Sequence, residues 1–148
     1  VLAAHPGLRG VLVDQPHALE GSAEVFTRAG VADRCTVNAG DYTESVPRGD
    51  RYVLKNIVHG FDDVTAARIL ANCRRAMAPG GQILLVEFLI PPGNAPFPGK
   101  LMDLLMLVGS EGGRERTEPE FRSLCAEAGL ELTDIETTRY AYSVLRAQ

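Results

Sequence analysis

Short, continuously apolar runs alternate with amphipathic stretches along most of this chain. Gly10-Val11-Leu12-Val13 reads as a strand ending at Asp14. Pro16 opens a helical stretch through Ala18, Leu19, Val25 and Phe26, which Gly30 closes because glycine suits the left-handed helix end. Cys35-Thr36-Val37 forms a second strand leading to Gly40-Asp41, and Tyr52-Val53-Leu54 a third leading to Lys55. Asp62 or Asp63 caps the next helix, whose apolar face runs through Val64, Ala67, Ile69, Leu70, Cys73 and Met77. Pro79-Gly80-Gly81 breaks that helix, and Ile83-Leu84-Leu85-Val86 follows as a buried strand. A rigid loop from Pro91 to Pro98 precedes a helix over Leu101–Val108, interrupted by Asp103. Thr117 and Glu120 form a capping box with Pro119 in the first turn, and Gly129 ends that helix. Leu130–Glu136 and Tyr142–Leu145 then pair as a terminal hairpin.

Repeated strand–helix–strand units with continuously apolar strands imply an α/β fold: a doubly wound, mostly parallel sheet with a C-terminal antiparallel hairpin. No internal repeat or linker interrupts residues 1–148, so one domain is expected. The chain has 148 residues, 45% hydrophobic and 23% charged, a balance that excludes disorder. A net charge of −4 argues against nucleic-acid or acidic-membrane partners. No apolar run approaches the roughly 20 residues of a membrane span. Cys35, Cys73 and Cys125 are odd in number and lack CxxC spacing, which points to inert thiols in a reducing cytoplasm.

Ligands of such sheets lie beyond the carboxyl ends of the strands. Those ends carry Asp14, Asp41 with Tyr42, Lys55 with His59, and Glu87, so four successive strands aim polar groups at one rim. Asp14 either accepts hydrogen bonds from the ribose hydroxyls of a nucleotide-like cofactor or caps the Pro16 helix. Asp41 and Tyr42 either hold an exocyclic amine and a purine face or form an ordinary turn. His59 alone is as compatible with a structural role as with a catalytic one. No HxxH, HxxxH or clustered carboxylate set is visible along the chain, which disfavours a metal-dependent mechanism. Arg114 and Arg116 beside Glu115 read as surface ion pairs, with Arg116 also placed to brace its loop.

Four segments in order carry a more specific signal: Val53–Asp63 (VLKNIVHGFDD), Leu84–Phe88 (LLVEF) with Pro91-Pro92, Met102–Leu107 (MDLLML) and Gly112–Glu118 (GGRERTE). Together they resemble the class I S-adenosylmethionine-dependent O-methyltransferases that act on small hydroxylated aromatic molecules. That family includes the caffeic-acid, hydroxyindole and polyketide-tailoring enzymes. The resemblance implies a Rossmann-like fold, S-adenosylmethionine as cofactor with S-adenosylhomocysteine as product, and a phenolic or polyketide-type acceptor. It further implies His59 as general base, Glu87 and Glu115 flanking the imidazole, and Met106 with Met102 against the acceptor ring. Asp14 would hold the ribose, Asp41 and Tyr42 the adenine, Lys55 would line the cofactor pocket, and Phe61 would offer the adenine an aromatic face. A phenol near pKa ~10 facing an imidazole near ~6.5 makes full prior deprotonation uphill by roughly 5 kcal/mol. Proton removal is therefore expected to accompany methyl transfer, with the carboxylates raising the basicity of His59.

Two departures qualify the resemblance. The family usually has Asp then Trp after the histidine, where this chain has Gly60 and Phe61. The family's first strand, its glycine-rich loop and its N-terminal dimerisation domain have no counterpart in these residues. The expectation is therefore a partial catalytic domain of a longer, homodimeric enzyme, with a sheet missing an interior strand between those ending at Asp14 and Lys55. Two other activities fit the same pattern: hydroxylation or decarboxylation of a polyketide by a methyltransferase-like enzyme, and a non-catalytic methyltransferase-like module.

Overall fold

The computed structural model describes residues 1–148, which divide into two compact units, Val1–Pro47 and Arg48–Gln148. In the N-terminal unit, β1 (Gly10–Asp14) and β2 (Cys35–Ala39) pair in parallel. Between them the chain forms a 3-10 turn over Pro16–Leu19 and helix α1 (Ser22–Arg28). The single helix expected from Pro16 to Gly30 is thus divided. Gly21 adopts φ +75°, a left-handed conformation that interrupts helical propagation, and Gly30 ends the segment at φ +65° as expected. Arg34 closes the unit by donating to the carbonyls of Leu2, His5 and Leu8.

The C-terminal unit contains a four-stranded sheet in the order β3-β4-β6-β5, formed by β3 (Gly49–Lys55), β4 (Met77–Phe88), β5 (Leu132–Thr137) and β6 (Tyr142–Ala147). β3 and β4 are parallel, while β4–β6 and β5–β6 are antiparallel, which confirms the terminal hairpin. β1 and β3 belong to different sheets, one in each unit.

Helix α2 (Asp63–Ala76) begins at Asp62, whose carboxylate accepts the Thr65 N–H at 2.7 Å. It stops one residue earlier than its apolar face suggests, because Met77 already belongs to β4. Pro79-Gly80-Gly81 therefore does not separate helix from strand. It occupies an irregularity inside β4, where pairing jumps from Gly49↔Met77 to Arg51↔Gln82. Helix α3 (Pro98–Gly109) follows the Pro-rich loop, and α4 (Glu118–Glu127) carries the capping box and Pro predicted for it.

Ile69, Leu70, Ile83, Leu85, Phe121, Cys125 and Leu145 are buried and join α2 and α4 to the sheet in one core. α3 differs: Leu101, Leu104, Leu105, Leu107 and Val108 are all exposed. No helix is long and apolar enough to cross a membrane.

Candidate active site

The site grows from the end of β3. Asn56 takes a left-handed conformation, φ +53°, and turns the chain out of the strand into a 3-10 turn over Val58–Gly60. Such a turn leaves backbone N–H groups without partners at its start. Glu87, near the end of β4, supplies the acceptor: its Oε1 takes the N–H groups of Ile57 at 3.1 Å and Val58 at 3.0 Å. The same carboxylate thereby fixes the turn that carries His59 and places Oε2 4.0 Å from His59 Nδ1.

The second acid arrives on the segment before α4. Its backbone runs beside the continuation of β4, with a bridge between Leu89 and Arg116 and the Ile90 N–H donating to the Arg116 carbonyl at 3.0 Å. Close approach depends on Gly113. A Cβ there would lie 2.5 Å from the His59 carbonyl oxygen and 2.8 Å from the Gly60 carbonyl carbon, so a larger residue would push the segment off the turn. Asp103, in the middle of α3, accepts the Glu115 N–H at 2.9 Å.

Glu115 Oε1 is consequently 2.7 Å from His59 Nδ1. An ionised carboxylate can only accept, so the imidazole proton resides on Nδ1 and the neutral ring keeps its lone pair on Nε2. His59 is 9% exposed, Glu115 4% and Glu87 fully buried, so little water screens the cluster. The hydrogen bond to Glu115 raises the His59 pKa above its ordinary value, with smaller help from the charges on Glu87 and Glu115 and opposition from burial and Arg116. Burial pushes the Glu87 carboxyl up to about 7, against the lowering effect of His59 and its two backbone N–H partners. The remaining oxygen of each acid, Oε2 of Glu87 and of Glu115, is buried without a hydrogen-bond partner. The cluster can therefore accept a proton at Nε2 and stabilise the resulting imidazolium.

His59, Glu87 and Glu115 also offer one ligand atom each, all within 4.8 Å of one another, a spacing open to a cation. The clustered carboxylate set not visible in the linear sequence is thus assembled by the fold. Arg116, read either as a surface ion pair or as a brace for its loop, does pair with Asp63 at 2.8 Å, but not at the surface. Its guanidinium is fully buried, while Arg114 makes the more accessible pairs, to Asp63 at 2.8 Å and Glu120 at 2.5 Å.

The other predicted residues occupy distinct positions. Lys55 is exposed and holds its ammonium 4.9 Å from the centroid of the Tyr142 ring, which itself stacks on Phe88 with centroids 4.3 Å apart. Phe61 is half-buried directly after the turn. Met102 and Met106 are half-buried, one helical turn apart on α3. In the N-terminal unit, Asp14 ends β1 and accepts the N–H of Gln15 at 2.8 Å; Gln15, not Asp14, is the cap residue of the following turn. Asp41 follows β2 and accepts the Thr43 N–H at 2.7 Å, a local turn bond. Tyr42 is half-buried, and its hydroxyl pKa is raised by burial and by the charges of Asp14 and Asp41. Asp103, Gly113 and the buried state of Arg116 were not anticipated. Only Asp103 left a signal, as an acid inside an apolar helix.

The chain belongs to the O-methyltransferase family, whose domain model matches residues 1–131. It is 42% identical to a phenazine O-methyltransferase of Lysobacter antibioticus over all of this chain and 43% of that protein. It is 41% identical to a 3-amino-4-hydroxybenzoate 4-O-methyltransferase of Streptomyces cremeus, over 93% of this chain and 38% of the relative. Among solved structures, an O-methyltransferase from neocarzinostatin biosynthesis, in complex with S-adenosylmethionine and 2-hydroxy-5-methyl naphthoic acid, superposes with a TM-score of 0.87. It shares 31% identity, covering 99% of this chain and 43% of that one. The chain thus spans less than half the length of these relatives.

Proposed function

We propose that the protein containing this chain methylates a hydroxyl of a small aromatic molecule, using S-adenosylmethionine, His59 as general base and no metal. The observation carrying this reading is the buried 2.7 Å contact between His59 Nδ1 and Glu115, which reserves Nε2 for an incoming proton. Family membership and relatives named for phenazine and aminohydroxybenzoate substrates support the reaction and the aromatic character of the acceptor.

S-adenosylmethionine, when bound, supplies a methyl group on a positively charged sulfur. In the N-terminal unit, Asp14 is the acceptor for ribose hydroxyls, and Asp41 with Tyr42 takes the adenine. In the C-terminal unit, Met102 and Met106 present soft, adaptable side chains to the acceptor ring. His59 takes the acceptor proton on Nε2 as the oxygen becomes a nucleophile, since complete prior ionisation of a phenol by imidazole is uphill. Glu115 holds the ring in the productive tautomer and, with Glu87, offsets the imidazolium charge in a site that excludes most water.

The test is His59→Gln in the full-length enzyme, with turnover followed by mass spectrometry on a panel of phenols and phenolic polyketides. Turnover is expected to fall by at least about a hundredfold, the scale of general-base loss. The dissociation constant for S-adenosylhomocysteine should not change. Methylation at the wild-type rate would remove His59 from this role.

A further inference from the structure

The turn bearing His59 is held by its N–H groups on Glu87 and by its carbonyls on a second side chain, Arg116. Arg116 donates through Nη1 to the Val58 carbonyl at 3.0 Å and through Nη2 to the Phe61 carbonyl at 2.8 Å, the residues on either side of His59-Gly60. Its Nε donates to Asp63 at 2.9 Å, which fixes the plane of the fork at the start of α2. The guanidinium is fully buried. Glu87 secures the N–H side of the turn and the Gly60 N–H donates to the Ile57 carbonyl at 3.1 Å, but on the carbonyl side Gly60 has no side chain to contribute and the Phe61 N–H to Val58 carbonyl bond is 3.3 Å long.

A buried arginine is costly to desolvate, and an apolar side chain could fill the space at less cost in stability. What an apolar group cannot do is grip two carbonyls with one rigid plane. We propose that Arg116 is a positioning residue for His59, clamping Val58 and Phe61 so that the imidazole stays seated on Glu115 with Nε2 aimed at the acceptor. This rests on the reading of His59 as the general base. Displacements of about 1 Å in such a group can cost on the order of a hundredfold in rate, so a loosened turn is felt in chemistry before it is felt in binding.

The experiment is a double-mutant cycle in the full-length enzyme with Arg116→Met and His59→Gln, read as kcat, acceptor KM and the S-adenosylhomocysteine dissociation constant. Arg116→Met in the wild-type background is expected to lower kcat by about ten- to a hundredfold, with both binding constants within about threefold. In the His59→Gln background the same substitution should change the residual rate by less than about threefold, because no base remains to misplace. Arg116→Lys, which keeps the charge but not the planar fork, should give an intermediate kcat. If Arg116→Met does not fold, Arg116→Lys is taken through the same cycle and judged by the same difference between backgrounds. Equal losses in both backgrounds, or an unchanged kcat, would overturn the proposal and leave Arg116 an ordinary structural residue. A His59→Gln enzyme with undiminished rate overturns the general-base reading as well, and so separates the two failures.

Discussion

Replacing Glu115 by Gln keeps the shape of the side chain and the Glu115 N–H bond to Asp103, but removes the charge 2.7 Å from His59 Nδ1. A charge-assisted hydrogen bond of this kind contributes about 1.5–3 kcal/mol. At about 1.4 kcal/mol per pKa unit, its loss lowers the basicity of the imidazole by roughly 1–2 units. The wild-type His59 pKa is raised, principally by this bond, so the acidic limb of kcat/KM against pH should lie above the ordinary histidine value. In the variant that limb should move down by roughly 1–2 units. A second effect reduces the plateau. The amide can turn its NH2 toward Nδ1, leaving the ring proton on Nε2, where it blocks proton uptake. Together these should reduce the plateau by about 10²–10⁴-fold, the contribution typical of a positioned general base. The assay is S-adenosylhomocysteine release by the full-length enzyme from pH 5 to 10, with cofactor affinity measured in parallel. A variant whose limb stays in place and whose plateau stays within about threefold would refute the assignment of Glu115 as the orienting acid.

Asp14→Ala should weaken S-adenosylhomocysteine binding by about tenfold or more in calorimetric titration, the scale of a lost hydrogen bond to a charged group; an unchanged constant removes the ribose assignment. Glu87 has its pKa raised to about 7 by burial, so the folded state holds a proton that the unfolded state has released, and stability declines as pH rises from about 4.5 to about 7. The raised pKa of His59 extends the decline above its ordinary 6.5. Urea midpoints of the full-length protein should therefore fall between pH 5 and 8, and Glu87→Gln should flatten the lower part of that fall; an identical slope in the variant counts against a neutral Glu87. Exhaustive dialysis against a chelator should leave turnover unchanged, whereas a loss reversed by a divalent cation would make His59, Glu87 and Glu115 a metal centre.

Local chemistry accounts for what could be read along the chain. Thr117, Pro119 and Glu120 specify a helix start through contacts three residues apart, and the structure has that start where the pattern places it. Asp62 could not be separated from Asp63 by pattern alone; the first caps α2, and the second is engaged by Arg114 and Arg116 from more than fifty residues away. Pro79-Gly80-Gly81 carries the composition of a turn, yet its residues are absorbed as an irregularity of β4 because both flanks pair with β3. His59 and Glu87 were legible as polar groups at the carboxyl ends of two strands, whereas Glu115, 56 positions beyond His59, joined them only through resemblance because no spacing rule connects it to either. Arg116 could be read either as a surface ion pair or as a brace for its loop, and the choice was not legible, because its acceptors, the Val58 and Phe61 carbonyls, leave no mark in composition or periodicity.

The carboxylate of Asp103 ties helix α3 to the backbone of Glu115, and Glu115 in turn grips the imidazole. Two methionines flank that carboxylate on the same helix, at 102 and 106. The placement of α3 and that of the imidazole are therefore joined by two hydrogen bonds in series, so a displacement of the helix is passed to the ring through Glu115.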